Sequence, residues 1–347
     1  MTVALITDQH LDGRKGSVQF WEYFQKFYNE VFFPTLEKNN IKTVIDLGDT
    51  FDNRKNIDYN VVTRIRRNYF DRLRDMGVEV HMILGNHCVY YKNTNEINSP
   101  EVLLEDYDNI SIYKNPTTVN IEGTDILMLP WINTENYDET MDHIAKTSAK
   151  IAMGHLEING FEVTPGMLYE GGLEPDVFSK FRQVFSGHFH HKSSRGNITY
   201  LGNPYQMFWN DYKDPRGFHL YEPSKNKLKY IKNPNEIFKK IYYNDSVDQD
   251  ITPSDYAGCY VKLVVENKTN FPKFEKLIDD LYSSNVLDLK IIETLVQKDV
   301  KETDIDLEVT DTLSLLNEYI DEVEMSVNKN DLKSILRTLY IESCEVV

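Results

Sequence analysis

Cysteine is scarce in this 347-residue chain: Cys88, Cys259 and Cys344 lie far apart, with no CxxC pair and no even-numbered set. That spacing argues against a disulfide framework or a thiolate metal site and makes a reducing cytoplasm the expected home. Long apolar runs are missing too. No stretch approaches the roughly 18 residues that cross a bilayer, so no membrane association is expected. Met1 to Thr7 leads into polar and acidic residues, so no export signal is expected either. Basic charge is in deficit, with 38 Lys+Arg against 55 Asp+Glu and a formal net charge of −17 with His neutral. Such a balance works against unaided adhesion to a phosphate backbone. Internal repeats and low-complexity tracts are also lacking. What remains is 41% hydrophobic and 12% aromatic, ample for a sizeable core and far from disordered compositions.

From the N-terminus to about residue 235, short β-rich runs alternate with helical stretches. Val3 to Ile6, Thr43 to Leu47, Val78 to Leu84, Ile126 to Leu129, Ile151 to Met153 and Val184 to Phe185 read as buried strands. Helices are expected over Val18 to Glu37, Tyr59 to Asp75 and Tyr137 to Thr147. This order predicts an α/β (α+β) fold of four layers, α-β-β-α, for residues 1–235. Residues 236–298 predict a small α+β module: strand Gly258 to Val265, helix Pro272 to Tyr282, strand Val286 to Ile292. An acidic stretch, 299–311, reads as a linker, and 312–347 as two amphipathic helices carrying Leu313, Leu316, Ile320 and Val323, then Leu332, Ile335, Leu336 and Leu339.

Five clusters place metal-competent side chains just after apolar strands: Asp8-Gln9-His10, Gly48-Asp49-Thr50-Phe51-Asp52, Gly85-Asn86-His87, Gly154-His155 and Gly187-His188-Phe189-His190. In open α/β sheets, ligands gather at the carboxyl ends of strands, so clusters distant in sequence can converge there. Mixed Asp, Asn and His donors suit Mn²⁺, Fe²⁺ or Zn²⁺ better than Mg²⁺ or a thiolate-bound ion. Two such ions about 3.5–4 Å apart clamp the attacking and leaving oxygens of a phosphoryl displacement. Asp49 is the expected bridge, with Asp8, His10 and His190 on one ion and Asn86, His155 and His188 on the other.

Asp-x-His, Gly-Asp-x-x-Asp, Gly-Asn-His, Gly-His and Gly-His-x-His in this order resemble the calcineurin-like metallophosphoesterases. The strings GDTFDNRK, ILGNH, GHLEINGF, SGHFHH, GNP and DPRGFHLYE are similar to the Mre11/SbcD nuclease branch, above all the recombination endonuclease subunits of T4-like phages. The resemblance implies a two-metal, Mn²⁺-dependent DNA nuclease subunit, with 3′-5′ double-strand exonuclease and single-strand endonuclease activity, in which hydroxide attacks the phosphodiester. It further implies roles in recombination, repair and replication, a homodimer, and a Rad50/SbcC-type ATPase partner gripped by the C-terminal helices. Residues 236–298 become a DNA-binding capping domain, and the setting becomes the cytoplasm of a bacterial or phage-infected cell. Asp8, His10, Asp49, Asn86, His155, His188 and His190 match metal ligands, His87 the catalytic histidine, and Asp52 the carboxylate that pairs with it. One departure stands out: Cys88 occupies a place usually held by Asp or Glu. Arg54 and Lys55, just beyond the Gly-Asp-x-x-Asp cluster, are expected to meet DNA phosphates.

Blander readings apply elsewhere. His81, His143 and His219 are expected to be ordinary histidines, and His191 a surface residue, with contact to DNA or to groups supporting the ligands as the alternative. The aromatic stretch from Phe20 to Phe33 is read as core, with contact to a second copy as the alternative. Two other functions remain open: a metallophosphatase or phosphodiesterase on non-DNA substrates, and a non-catalytic scaffold for DNA and the ATPase.

Overall fold

The computed structural model describes residues 2–293 together with residues 319, 320, 329, 332, 333 and 336. The chain divides into two compact units, Met1–Ile292 and Glu293–Val347. The expected linker lies outside the described residues, as does most of the expected helical pair; the six described residues there are helical.

Two six-stranded sheets form the body of the first unit. The first sheet runs Lys227–Lys232, Gly217–Glu222, Val3–Ile6, Thr43–Asp46, Glu79–Ile83, Ile110–Tyr113, the last four strands mutually parallel. The second runs Ser193–Arg195, Ile198–Tyr200, Gln183–Gly187, Ile151–His155, Thr124–Leu129, Thr117–Ile121, with four parallel strands at its centre and an antiparallel strand at each edge.

Side-chain alternation sets the layers. Val3, Leu5, Ile45, Met128, Met153 and Phe185 share one core, the filling between the two sheets. Ala4, Ile6 and Val44 turn the other way, toward Phe24, Phe27 and Phe70 on helices. Leu127, Ala152 and Val184 likewise meet Ile144 and Phe178 outside the second sheet. The expected α-β-β-α order is therefore present. Because both faces of the central strands are covered, they read in sequence as continuous apolar runs.

The first long helical segment comprises Val18–Phe27 and Phe33–Lys38, joined by a π-helical turn at Tyr28–Phe32. The second comprises Tyr59–Ile65 and Asp71–Asp75 around a similar turn at Arg66–Phe70, and its start is capped by Asp58, whose carboxylate accepts from Asn60 N and Val61 N. Phe20, Trp21, Phe24, Phe27, Phe32 and Phe33 are all buried within the chain, so these rings are core.

A three-stranded sheet, Phe238–Asn244, Tyr260–Asn267 and Asp288–Glu293, carries the helix Phe271–Ser283 over a core of Ile241, Val261, Leu263, Phe274 and Leu281. It meets the body through Phe238, whose ring lies 4.8 Å from Trp209, and Tyr260, stacked 5.6 Å from Phe20. Among the described residues, no helix is long and apolar enough to cross a membrane.

Candidate metal centre

The five sequence clusters meet at the carboxyl ends of parallel strands. Asp8 and His10 follow Val3–Ile6, Asp49 follows Thr43–Asp46, Asn86 and His87 follow Glu79–Ile83, His155 ends Ile151–His155, and His188 and His190 follow Gln183–Gly187. The first two loops run side by side, with Asp8 N donating to Gly48 O and His10 N to Asp49 O, both at 2.9 Å. Two glycines allow the approach. A Cβ on Gly85 would sit 2.1 Å from Asp49 Oδ1, and one on Gly187 would sit 1.9 Å from Thr7 Oγ1. Asp8, His10, Asp49 and His188 have φ of 51°, 42°, 52° and 86°, in the left-handed region that side chains disfavour. Such strain collects where surrounding structure holds a functional geometry.

Potential ligand atoms fall in three sets, each within 4.8 Å: Asp8 with His10 and His190, and Asp49 with His155 and His188, which are the two ligand groups, and His10 with Asp52 and His87 at their side. His10 Nε2 is 3.2 Å from His190 Nε2, and His155 Nε2 is 3.1 Å from Asp49 Oδ2. The inner end of the Asn86 amide lies 3.0 Å from His155 Nε2 and 3.1 Å from His188 Nδ1 and Asp49 Oδ2, so its NH2 can donate to them in the metal-free site and its oxygen can take that place on a cation.

Three of these rings have an oxygen partner on the outward nitrogen. His10 Nδ1 is 2.9 Å from Asp52 Oδ1, His155 Nδ1 donates to Leu47 O at 2.8 Å, and His188 Nε2 is 3.2 Å from Glu157 Oε1. With the outward nitrogen so occupied, the inward nitrogen of each ring is the one that can turn a lone pair to a cation once its proton has left. Lone pairs converging this closely are what a cation resolves, and mixed carboxylate, amide and imidazole donors fit two divalent transition ions. Burial alone would lower His10 and His155. Carboxylates override it and hold both at about 9: Asp52, Asp49 and Asp8 around His10, and Asp49 and Asp8 around His155. Burial pushes Asp49 up, but His155, His87 and His10 outweigh it and hold the carboxyl well below its usual range.

His87 stands beside the groups, half-buried, its ring edge-on to His10 at 4.9 Å. Its backbone N donates to Asp49 Oδ1 at 2.8 Å, and its Nδ1 meets Asp52 O at 2.9 Å and Asp52 Oδ1 at 3.5 Å. The Asp52 carboxylate thus lies closer to His10 than to His87. Arg54 reaches the site's edge, Nη2 lying 3.3 Å from the outer end of the Asn86 amide. Lys55 is farther out, its ammonium 5.5 Å from the Tyr90 ring.

Cys88 packs among Leu84, Val89 and Trp131, and burial pushes its thiol up to about 12. It belongs to neither ligand group. His191 is not a free surface residue, since Nδ1 lies 2.9 Å from Asp214 Oδ2 and Nε2 3.4 Å from Glu162 Oε2.

Several supporting residues escaped the sequence reading. Asp12 accepts from Asp52 N at 2.6 Å and from Asn53 N at 3.1 Å, shaping the loop that carries Asp52 and Arg54. Arg216 donates to His190 O and pairs with Asp211 at 2.7 Å and Asp214 at 2.9 Å. Glu157 orients His188. The available signal was a charged residue inside or beside a motif string: DQHLD, GHLE and DPRGF.

A family model described as calcineurin-like phosphoesterase matches residues 1–192. Exonuclease subunit 1 of Enterobacteria phage T4 is 33% identical over 313 residues, which cover 89% of this chain and 90% of that protein. Among solved structures, a dimetal phosphatase from Danio rerio is similar at 12% identity and a TM-score of 0.40, over 68% of this chain and 97% of its own. The nuclease MPE of Pseudomonas putida is similar at 13% identity and a TM-score of 0.32, over 66% of this chain and 87% of its own.

Proposed function

The chain belongs to the calcineurin-like phosphoesterase family, and from that membership we propose that it is a Mn²⁺-dependent DNA nuclease subunit. The observation that carries the reading is the convergence of Asp8, His10 and His190 beside Asp49, Asn86, His155 and His188 at five strand ends. The first three would hold one divalent ion and the last three a second, with Asp49 shared. When bound, such a pair supplies Lewis acidity and positive charge at a phosphate.

The chain's own groups do the rest. His87 Nδ1 faces an oxygen that can only accept, Asp52 O, so the ring keeps its proton there and turns Nε2 to the substrate. From there Nε2 can donate a proton or hydrogen bond to the leaving oxygen of the phosphodiester. Asp52, between His10 and His87, fixes both rings. Asp12 holds the loop from Asp52 to Arg54, and Arg54 and Lys55 steer the phosphates toward the strand ends.

The relative from phage T4 is named a subunit, which supports action within a complex. In this reading residues 312–347 bind a Rad50/SbcC-type ATPase, residues 236–298 cap the DNA, and two copies act together in recombination, repair and replication inside a bacterial or phage-infected cell. The expected activities are 3′-5′ exonuclease on duplex ends and endonuclease on single strands.

The test is digestion of end-labelled duplex and single-stranded DNA with Mn²⁺, with and without the ATPase, beside a phosphomonoester control and a His87→Ala variant. Cleavage that His87→Ala abolishes while Mn²⁺ binding persists is the expected result. Intact DNA under every condition would overturn the nuclease reading, and monoester turnover with intact DNA would replace it by a phosphatase.

A further inference from the structure

Gln9 separates Asp8 and His10 in sequence but turns its side chain away from theirs, into the core, where it is wholly buried. Its Nε2 donates to Asp46 Oδ2 at 2.7 Å, its Oε1 accepts from Tyr28 OH at 2.7 Å, and its backbone carbonyl accepts from Tyr205 OH. Asp46 in turn takes Gly48 N on Oδ1 at 3.1 Å and Thr50 Oγ1 on Oδ2 at 2.7 Å. One buried carboxylate therefore ties together the loop bearing Asp8 and His10 and the loop bearing Asp49.

Filling space does not explain this arrangement. A leucine or methionine would fill the volume without the cost of burying an amide and a carboxylate, which only well-made hydrogen bonds offset. The neighbouring backbone needs holding, since Asp8, His10 and Asp49 all have positive φ. Each sits in a conformation that side chains disfavour and that only surrounding contacts maintain. Tyr28 arrives through the π-helical turn Tyr28–Phe32, an irregularity that recurs near functional sites.

We propose that Gln9 and Asp46 are positioning residues for the metal centre: the carboxamide–carboxylate link holds the Asp8–His10 loop against the Asp49 loop so that three ligand side chains converge. The inference rests on the two-metal reading above, but not on the substrate being DNA.

The experiment is titration of metal-free protein with Mn²⁺ alone by calorimetry, joined to the visible absorption spectrum of the Co²⁺-loaded protein. Gln9→Met keeps the volume and removes both polar contacts. It should weaken Mn²⁺ binding about 10–100-fold, the usual effect of losing a partner that orients a ligand, and should alter the Co²⁺ bands. Tyr28→Phe should weaken binding in the same direction by less, and it carries the test if Gln9→Met does not fold. Tyr221→Phe is the stability control. It removes a buried hydroxyl that donates to Asn226 at 2.7 Å, on a residue paired with Val3 at the opposite end of the first strand from Asp8. It should leave both readings unchanged. Wild-type Mn²⁺ affinity and Co²⁺ bands in Gln9→Met, or in Tyr28→Phe where that carries the test, would overturn the proposal. So would a loss of affinity in Tyr221→Phe matching that in Gln9→Met. Protein that binds Mn²⁺ in this pattern yet leaves DNA intact would overturn the nuclease reading alone.

Discussion

Replacing Gly85 by alanine tests whether the loops of the metal centre need their close approach. Gly85 does not have a positive φ, so alanine is acceptable to the backbone and the only obstacle is space. The new methyl would lie 2.1 Å from Asp49 Oδ1, 2.6 Å from Asp49 N and 2.7 Å from Asp49 Cγ. A relaxed carbon–oxygen contact is roughly 3.3–3.6 Å, so the two loops must part by about 1 Å. No flexible side-chain end can absorb the shift, because Asp49 is held through its own backbone and accepts from His87 N at 2.8 Å. Overpacking of this kind costs about 1–3 kcal/mol of stability. A displacement of about 1 Å between catalytic groups costs on the order of 10²-fold in turnover. Gly85→Ala should therefore fold, unfold at lower urea, bind Mn²⁺ more weakly and cleave DNA about 10²-fold more slowly at saturating Mn²⁺. Gly77→Ala is the complementary control, with φ of 63° and nothing within 4 Å of the added carbon. It should lose roughly 1–2 kcal/mol through backbone strain alone and keep full turnover. Wild-type turnover and Mn²⁺ affinity in Gly85→Ala would refute the claim that this approach builds the site.

Other perturbations read different parts of the molecule. Arg216→Met takes the guanidinium from the buried Asp211, leaving it to its backbone donors, and leaves Asp214 to His191, so it should cost roughly 3 kcal/mol in urea unfolding, more than a surface arginine. His219 is buried, its pKa lowered to about 3 by burial and by Lys192. Its unfolded form takes up a proton below about pH 6.5 and its folded form does not, so stability falls as pH drops. Between pH 7 and pH 5 this histidine should account for about 2 kcal/mol of the loss. His219→Phe should lose correspondingly less over that interval, and an unchanged pH slope in urea melts would refute the assignment. If Arg54 and Lys55 meet phosphates, changing each to Gln should reduce the slope of log affinity against log salt for duplex DNA by about 0.9, measured by fluorescence anisotropy.

The body of the fold was legible wherever strands are covered on both faces, because Val3 to Ile6 or Ile151 to Met153 then show unbroken apolar runs. The edge strands Ile110–Tyr113, Thr117–Ile121 and Lys227–Lys232 were not, since each turns one face to solvent and mixes Ser, Asn or Lys into a run of four to six residues. Gly217–Glu222 stood inside a noted string, GFHLYE, without being read as a strand, yet it pairs directly with Val3–Ile6. The candidate site was legible because its ligand types are rare and fall at strand ends. Its supports were not, for a physical reason. Gln9, Asp46 and Asp12 are polar residues whose significance is burial, and nothing in a local window says that a Gln beside a His turns inward rather than toward water.

The acidic balance of the chain acquires a specific reading from this geometry. Asp8 and Asp49 lie fully within the body, with Asp46 beneath them, so part of the negative charge is spent inside rather than displayed to a phosphate backbone. Two divalent ions would bring four positive charges to a site whose ligand carboxylates supply two negative ones, making it the locally positive place on an acidic protein. Attraction for DNA should then depend on metal as well as on salt. Removing Mn²⁺ with a chelator should weaken duplex binding in anisotropy by more than the Arg54→Gln and Lys55→Gln changes together, because two short cation–phosphate contacts at the strand ends outweigh two solvated side chains at the rim. Equal affinity with and without Mn²⁺ would mean that the grip on DNA resides elsewhere on the chain.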